Sequence, residues 1–277
     1  MPVIITVVII KNTGAKNMID LHCHLLPDWD DGPENWEETE KMVELASADG
    51  IEKMCFTPHF FRFSRYNDDP EILEARIREF FERYGKDSRV EFYRGAEVFI
   101  HPDLVAQIKE NNLSINQGEY VFVEFPSDQV PSGTKELFYQ LMLAGYTPII
   151  SHPERNSIFG SQPQVLYDLA NRGALAQVTA MSLTGGFGSE VQKRAELALK
   201  NNLVHLIASD AHDAQKRKPV LSQAVELAAR IIGRDKAEAM AQEIPRAILS
   251  NELIPDWGSP INPEAGKKFF GFFKKQK

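Results

Sequence analysis

The sequence predicts an α/β fold, a distorted seven-stranded (β/α) barrel with its functional site at the C-terminal ends of the strands. Three observations predict it. Seven short strand-like runs alternate with helix-like runs, the order that builds βαβ units and parallel pairing. Six of the seven runs finish in histidine or acidic groups able to ligate a metal, and the C-terminal strand ends are where such barrels build their sites. The length, 277 residues, suits one barrel unit with a sizeable core.

The strand-like runs lie near 18–22, 51–57, 90–96, 119–125, 146–151, 174–180 and 203–209. Helices are expected between them near 34–49, 70–84, 102–111, 133–145, 163–172 and 189–201, followed by two more near 219–232 and 235–250. Pro33 precedes the first helix and Pro163 falls in the first turn of the fifth, where a missing N–H does no harm. Gly50 and Gly173 follow helices, where a left-handed cap is expected. In the sixth helix Val191, Ala195, Ala198 and Leu199 recur at the spacing of one helical face. No internal repeat is visible.

Composition excludes several classes. The chain is 43% hydrophobic and 25% charged, as soluble globular proteins are. Net charge is −8; the last twelve residues hold five lysines and no acid, so the remaining body stands at −13. So acidic a body argues against nucleic acid as a partner. Two cysteines, Cys23 and Cys55, make no disulfide scaffold, fit a reducing cytoplasm and read as small buried hydrophobes. Neither heads a Cys-x5-Arg phosphate loop, because Trp29 and Phe61 stand at the arginine position. The apolar stretch 3–10 is too short for a membrane helix of about 20 residues and lacks the layout of a signal peptide. Residues 1–17 are therefore expected to lie outside the domain, or to add an edge strand, with Met18 as its effective start.

The strand ends carry the chemistry. In Asp20-Leu21-His22-Cys23-His24 the two histidines are two apart and share one strand face. After them come Pro58-His59, Gly95-Ala96-Glu97, Glu124-Phe125, Ser151-His152-Pro153-Glu154-Arg155 and Ser209-Asp210-Ala211-His212. Only the sixth strand, ending Val178-Thr179-Ala180, offers no such group. A solitary histidine or strand-end acid is ordinarily structural or solvated. His22, His24, His59, Glu97, Glu124, His152, Asp210 and His212 are set apart by their place in the series. His205 has the wrong parity relative to Asp210 and reads as structural; His101, before Pro102, reads as a surface or capping residue. Asp28, Asp30 and Asp31 lie in a turn-rich segment that favours aspartate for its backbone bonds, and spacing alone does not choose between Asp30 and Asp31. Glu154 is expected to orient its neighbours or to be exposed. Mixed imidazole and carboxylate donors suit manganese, iron or zinc.

Taken in order, the His-x-His, Asp-Asp-Gly-Pro, Pro-His, Gly-Ala-Glu, Glu-Phe, His-Pro-Glu-Arg and Ser-Asp-Ala-His motifs resemble the polymerase-and-histidinol-phosphatase (PHP) superfamily. Within it they are most similar to the bacterial manganese-dependent protein tyrosine phosphatases of capsule and exopolysaccharide loci, the CpsB/CapC type. The resemblance spans Met18 to Ile254 and leaves 1–17 and 255–277 outside the phosphatase domain. It implies three divalent metals, manganese foremost with iron or zinc as alternatives. His22, His24, Glu97 and Asp210 would hold one. Glu97 would bridge to a second, also held by Glu124 and His152, and Asp31, His59 and His212 would hold the third. It also implies that Arg155 and Arg217 surround the phosphoryl group, although Lys216 and Lys218 flank Arg217. Arg62, just after His59, is a further rim candidate.

The chemistry is coherent. Phosphate-ester hydrolysis is very slow uncatalysed, and clustered cations both acidify water and stabilise negative charge as the P–O bond breaks. Tyrosine leaves with a pKa of about 10, so a strong general acid is dispensable and none is assigned. The expected substrate is the phosphorylated tyrosine-rich tail of a bacterial kinase controlling polysaccharide export. The alternatives are a superfamily phosphoesterase acting on a metabolite such as histidinol phosphate, and a non-catalytic metal-binding barrel. The aromatic, basic stretch 267–275 adds an expectation of contact with an anionic membrane surface, on the cytoplasmic side.

Overall fold

A computed structural model describes residues 17–61, 69–86 and 89–264. Arg62, the extension 1–16 and the basic stretch 267–275 lie outside the described residues. Strand pairing is parallel throughout the named ladders. One sheet has the order β1 (Met18–Cys23), β2 (Ile51–Phe56), β4 (Glu91–Arg94). The other runs β3 (His59–Phe60), β5 (Glu97–Phe99), β6 (Tyr120–Glu124), β7 (Thr147–Ile150), β8 (Leu175–Thr179), β9 (Leu206–Ala208).

Among the described residues there are thus nine strands where the sequence predicts seven, because a short further strand follows two of the predicted runs: β3 lies beyond the run 51–57 and β5 beyond the run 90–96. Thr57-Pro58 separates β2 from β3, and proline has no N–H for the ladder. Gly95-Ala96 separates β4 from β5. A side chain at Gly95 would meet Cys55 Sγ at 3.2 Å and Thr57 Cγ2 at 3.4 Å, so the two breaks lie against each other. The sheets also meet at their other ends. Cys23 bridges Ala211 in parallel, the His24 N–H donates to Ala211 O at 2.8 Å, and the Asp210 N–H donates to His22 O at 2.8 Å.

Helices cover the outside of the sheets. α1 (Trp36–Asp49) is capped by Asn35, whose side chain accepts from the Glu38 N–H at 3.0 Å. It buries Thr39, Met42, Val43 and Ala46 and stops at Gly50, which takes the left-handed conformation with φ 93°. α2 (Pro70–Tyr84), α3 (Leu104–Asn111) and α4 (Thr134–Leu143) fall where helices are predicted. α5 (Ser157–Ser161) and α7 (Ala180–Leu183) are short additions in the loops after β7 and β8. α6 (Pro163–Ala170), α8 (Ser189–Lys200) and α9 (Ser222–Ile232) also match expectation.

The predicted helix 235–250 is two helices, α10 (Arg234–Ala239) and α11 (Glu243–Leu249). Pro245 explains the break: in a continuous helix its ring would clash with the Ala241 carbonyl. The freed carbonyls are used by the sheets. Ala241 O accepts from the Ile19 N–H at 2.8 Å and Met240 O from the Ile207 N–H at 3.1 Å. Beyond residue 254 the described chain turns back onto the body. Trp257 is buried under Lys236, whose ammonium lies 5.1 Å from the ring centre.

Candidate metal and phosphate site

The nine predicted metal-ligand residues converge at one end of the strands, and all but Asp31 are buried. β1 supplies His22, β3 His59, β5 Glu97 and β6 Glu124; His24 follows directly on β1, and the loops after β7 and β9 supply His152, Asp210 and His212. Glu97 is central: its carboxylate lies 3.4 Å from His22 Nε2, 3.7 Å from His24 Nε2, and 3.0 Å from both His59 Nδ1 and His152 Nε2. Asp210 Oδ1 lies 3.6 Å from each of His22 Nε2 and His24 Nε2. Asp31 Oδ1 lies 3.3 Å from His59 Nε2 and 3.2 Å from His212 Nε2.

The donors fall into overlapping groups with ligand atoms within 4.8 Å of one another. One is His24, Asp31, His59 and His212; another His22, His24 and Asp210; a third His59, Glu97 and Glu124. These residues fit metal ions. His22 Nε2, His24 Nε2 and Glu97 Oε2 are buried and have no hydrogen-bond partner among the described residues, a costly state for polar atoms.

Electrostatics keep the Glu97 and Asp210 carboxylates ionised, and burial is outweighed by facing carboxylates at His24, raised to about 9, and at His59, raised well above its usual range. Burial would raise the Glu97 carboxyl, but the His22, His59 and His152 rings hold it well below its usual range. Burial is likewise outweighed at Asp210 by Arg155 and Arg217. Burial and the neighbouring Arg155 push His152 down to about 4, and burial with His24 does the same for His212, so both rings are neutral and able to ligate.

The two adjacent aspartates divide the work. Asp30 Oδ2 lies 2.7 Å from His24 Nδ1 and accepts from the His59 N–H at 2.9 Å, while Asp30 Oδ1 accepts from the Gly32 N–H at 2.9 Å. Asp30 therefore orients ligands, and Asp31 lines the cavity. Gly32 allows this: a side chain there would meet Asp30 Oδ1 at 2.9 Å and His24 Cβ at 3.0 Å. Asp20, buried beneath, accepts from the Ser209 N–H at 3.0 Å and from the Ser209 hydroxyl, and so ties the first strand to the last.

Two contributors, Gln177 and Phe187, were not legible as site residues. Gln177 Oε1 lies 3.3 Å from His22 Nδ1 and accepts from the His152 N–H at 3.0 Å. It anchors His152 in a left-handed conformation, φ 33°, that is uncommon for such a residue. The sixth strand thus serves the site without ligating. Glu154, expected to orient its neighbours or to be exposed, is buried. Its Oε1 accepts from the Thr179 N–H and the Ser182 hydroxyl, fixing the turn that carries His152 and Arg155. Phe187 has Arg155 at 5.1 Å and Arg217 at 5.9 Å from its ring centre, within cation–π range. No motif marked it, since a single aromatic between glycines has no distinguishing spacing.

Arg155 Nη1 lies 2.9 Å and Arg217 Nη2 2.7 Å from Asp210 Oδ2, which brings both guanidiniums to the mouth. The cavity they border has a volume of about 280 Å³ and is also lined by Asp31, His59, Glu97, Glu124, Phe125 and His212. His205 lies apart, buried, its Nδ1 accepting from the Ala176 N–H at 3.2 Å. His101 Nδ1 accepts from the Asp103 N–H at 3.2 Å, a capping role before α3. No helix among the described residues is long and apolar enough to cross a membrane.

This arrangement has close parallels. The chain is 34% identical over 257 residues to the tyrosine-protein phosphatase YwqE of Bacillus subtilis (strain 168), covering 92% of this chain and 100% of that one. It is 27% identical to the tyrosine-protein phosphatase CpsB of Streptococcus pneumoniae, covering 86% and 100%. A crystal structure from work on YwqE and CpsB, described as unique metal-dependent tyrosine phosphatases, superposes with a TM-score of 0.82 at 32% identity, covering 88% of this chain and 99% of that one. A histidinol phosphate phosphatase from Lactococcus lactis shares the fold, with a TM-score of 0.52 at 14% identity over 80% of this chain and 94% of that one. A family profile for capsular polysaccharide synthesis, CpsB/CapC, matches residues 18–250, and the chain is a member of that family.

Proposed function

We propose that this chain is a metal-dependent phosphotyrosine-protein phosphatase that acts on a bacterial tyrosine autokinase and so regulates capsular or exopolysaccharide synthesis. The observation that carries the reading is the cavity itself, where imidazoles and carboxylates from six strand ends meet two arginines. The catalytic unit is taken as residues 18–254, folded as a seven-stave PHP-type barrel in which β2 with β3 and β4 with β5 are each one interrupted stave.

His22, His24, Asp31, His59, Glu97, Glu124, His152, Asp210 and His212 would hold three divalent ions, manganese in the first instance and iron or zinc as alternatives. When bound, such ions neutralise phosphoryl charge and make water acidic enough to serve as nucleophile near neutral pH. The chain's own residues do the rest. Arg155 and Arg217 grip the phosphoryl oxygens, as a planar guanidinium suits two at once. Asp210 and Phe187 hold both guanidiniums in place before substrate arrives. Gln177 and Asp30 fix the rings of His22 and His24 so that each presents Nε2 to the Glu97 and Asp210 carboxylates. Because the phenolate leaves readily, no side chain is assigned to protonate it.

The partner in this reading is a phosphorylated, tyrosine-rich kinase tail in the cytoplasm, close to the membrane; residues 267–275 would supply contact with that surface. Turnover of a phosphotyrosine peptide is measured beside histidinol phosphate with the same metal. Preference for the peptide is expected; preference for the metabolite replaces this reading with that of a small-molecule phosphoesterase.

A further inference from the structure

Arg217 sits between two lysines, and the three side chains serve different cavities. Arg217 lines the metal and phosphate cavity, whereas Lys216 and Lys218 line a neighbouring one of about 470 Å³ with Gln215, Thr184 and Met181. The segment is held in one shape. Asp213 Oδ1 accepts from the N–H groups of Gln215 at 2.6 Å, of Lys216, and of Arg217 at 3.2 Å, and the His212 N–H donates to Arg217 O at 2.9 Å. Asp213 is occupied by that turn. Both lysines are exposed, and neither ammonium is paired with a carboxylate of a described residue. Two exposed ammonium groups thus line a preformed hollow beside the arginine assigned to phosphate.

From this we infer a second, anion-binding subsite at Lys216 and Lys218. It takes an acidic side chain or a further phosphate of the same polypeptide whose phosphotyrosine occupies the main cavity. The inference rests on the phosphotyrosine reading above and deepens it, since a free aryl phosphate would not reach this hollow. A hollow of this size admits a side chain, and ammonium groups recognise carboxylate and phosphate alike as point charges. Rim charges of this kind act mainly through long-range attraction, so salt weakens them.

The test compares three substrates under one metal condition: p-nitrophenyl phosphate, a phosphotyrosine peptide flanked by alanines, and the same peptide flanked by glutamates. Wild-type protein is expected to show a KM about threefold to tenfold lower for the acidic peptide at low salt, as two exposed ion pairs allow. The preference should shrink at high salt. The double variant Lys216→Gln, Lys218→Gln should lose it while hydrolysing p-nitrophenyl phosphate as before. Equal KM values for the two peptides in wild type, or a preference that survives the double substitution, overturns the subsite. So does a variant equally impaired on p-nitrophenyl phosphate, or one whose only loss is binding to phosphatidylserine vesicles. If wild type turns over none of the three, the phosphatase reading itself fails and the subsite with it.

Discussion

Asp30 Oδ2 lies 2.7 Å from His24 Nδ1, and this contact leaves Nε2 as the nitrogen that His24 offers beside Glu97 and Asp210. The neighbouring Asp31 instead points its carboxylate at His59 and His212. Asp30→Asn keeps the shape but weakens the carboxylate–imidazole contact, so metal affinity should fall about 10-fold to 100-fold. Asp31→Asn removes an anionic donor and should weaken binding at the group it shares with His24, His59 and His212, while leaving the Asp30–His24 contact in place. Titration of apo protein with manganese by calorimetry separates the two; an Asp30→Asn protein with unchanged affinity rejects the orienting role.

Gln177 serves two clients, His22 Nδ1 and the His152 N–H. Gln177→Leu leaves the buried His152 N–H unpaired, which should cost about 1–3 kcal/mol of stability. Urea unfolding of the metal-free protein measures that loss directly, and metal affinity should drop in parallel. A fully stable variant with normal affinity contradicts the assignment.

Arg155 and Arg217 both contact Asp210, and Phe187 lies against both. Loss of either guanidinium, as in Arg155→Gln, removes charged hydrogen bonds of about 1.5–3 kcal/mol and should lower kcat/KM roughly 10-fold to 150-fold. Phe187→Leu removes only a half-buried cation–π contact of about 0.5–1 kcal/mol, so a twofold to fivefold rise in KM is expected, restored by Phe187→Tyr. Steady-state kinetics on an aryl phosphate, with inorganic phosphate as inhibitor, ranks the three.

His205 is buried with its ring pushed down to about 4 by desolvation. Below the ordinary histidine value of about 6.5, the unfolded chain binds a proton that the folded chain does not. Stability is therefore lost as pH falls from about 6.5 towards 4, by about 2 kcal/mol at pH 5. His205→Gln should remove its own share, about 2 kcal/mol at pH 5, and leave the shares of His152 and His212, whose rings are pushed down to about 4 as well. Urea midpoints at pH 7 and pH 5, with chelator present in both, provide the check.

Much of this was legible because the site is written at strand ends. A β-strand turns His22 and His24 to one face by parity alone, and the alternation of strands with helices brings the remaining donors to the same end. Family resemblance chose Asp31, and the contacts of Asp30 give that choice its physical reason. Hidden from the sequence were effects that depend on contacts distant along the chain. Gln177 looks like any polar residue in a strand until His22 and His152 meet it from two other strands. An orienting role for Glu154 is expected from the sequence, but its partner Ser182 lies on α7, and nothing in the neighbours of Glu154 announces α7. Pro245 is visible in the sequence, whose periodicity nonetheless predicts one helix over 235–250. Its real effect, freeing two carbonyls for Ile19 and Ile207, needs the sheets in place.

Metal dependence is the claim on which the rest stands, and it is tested most directly by p-nitrophenyl phosphate hydrolysis alongside metal analysis of the dialysed protein. Manganese-loaded wild type should be active and retain metal. Chelated wild type and His22→Ala should lose both activity and bound metal. Hydrolysis that persists after chelation and in His22→Ala would contradict the account, whatever the geometry of the cavity.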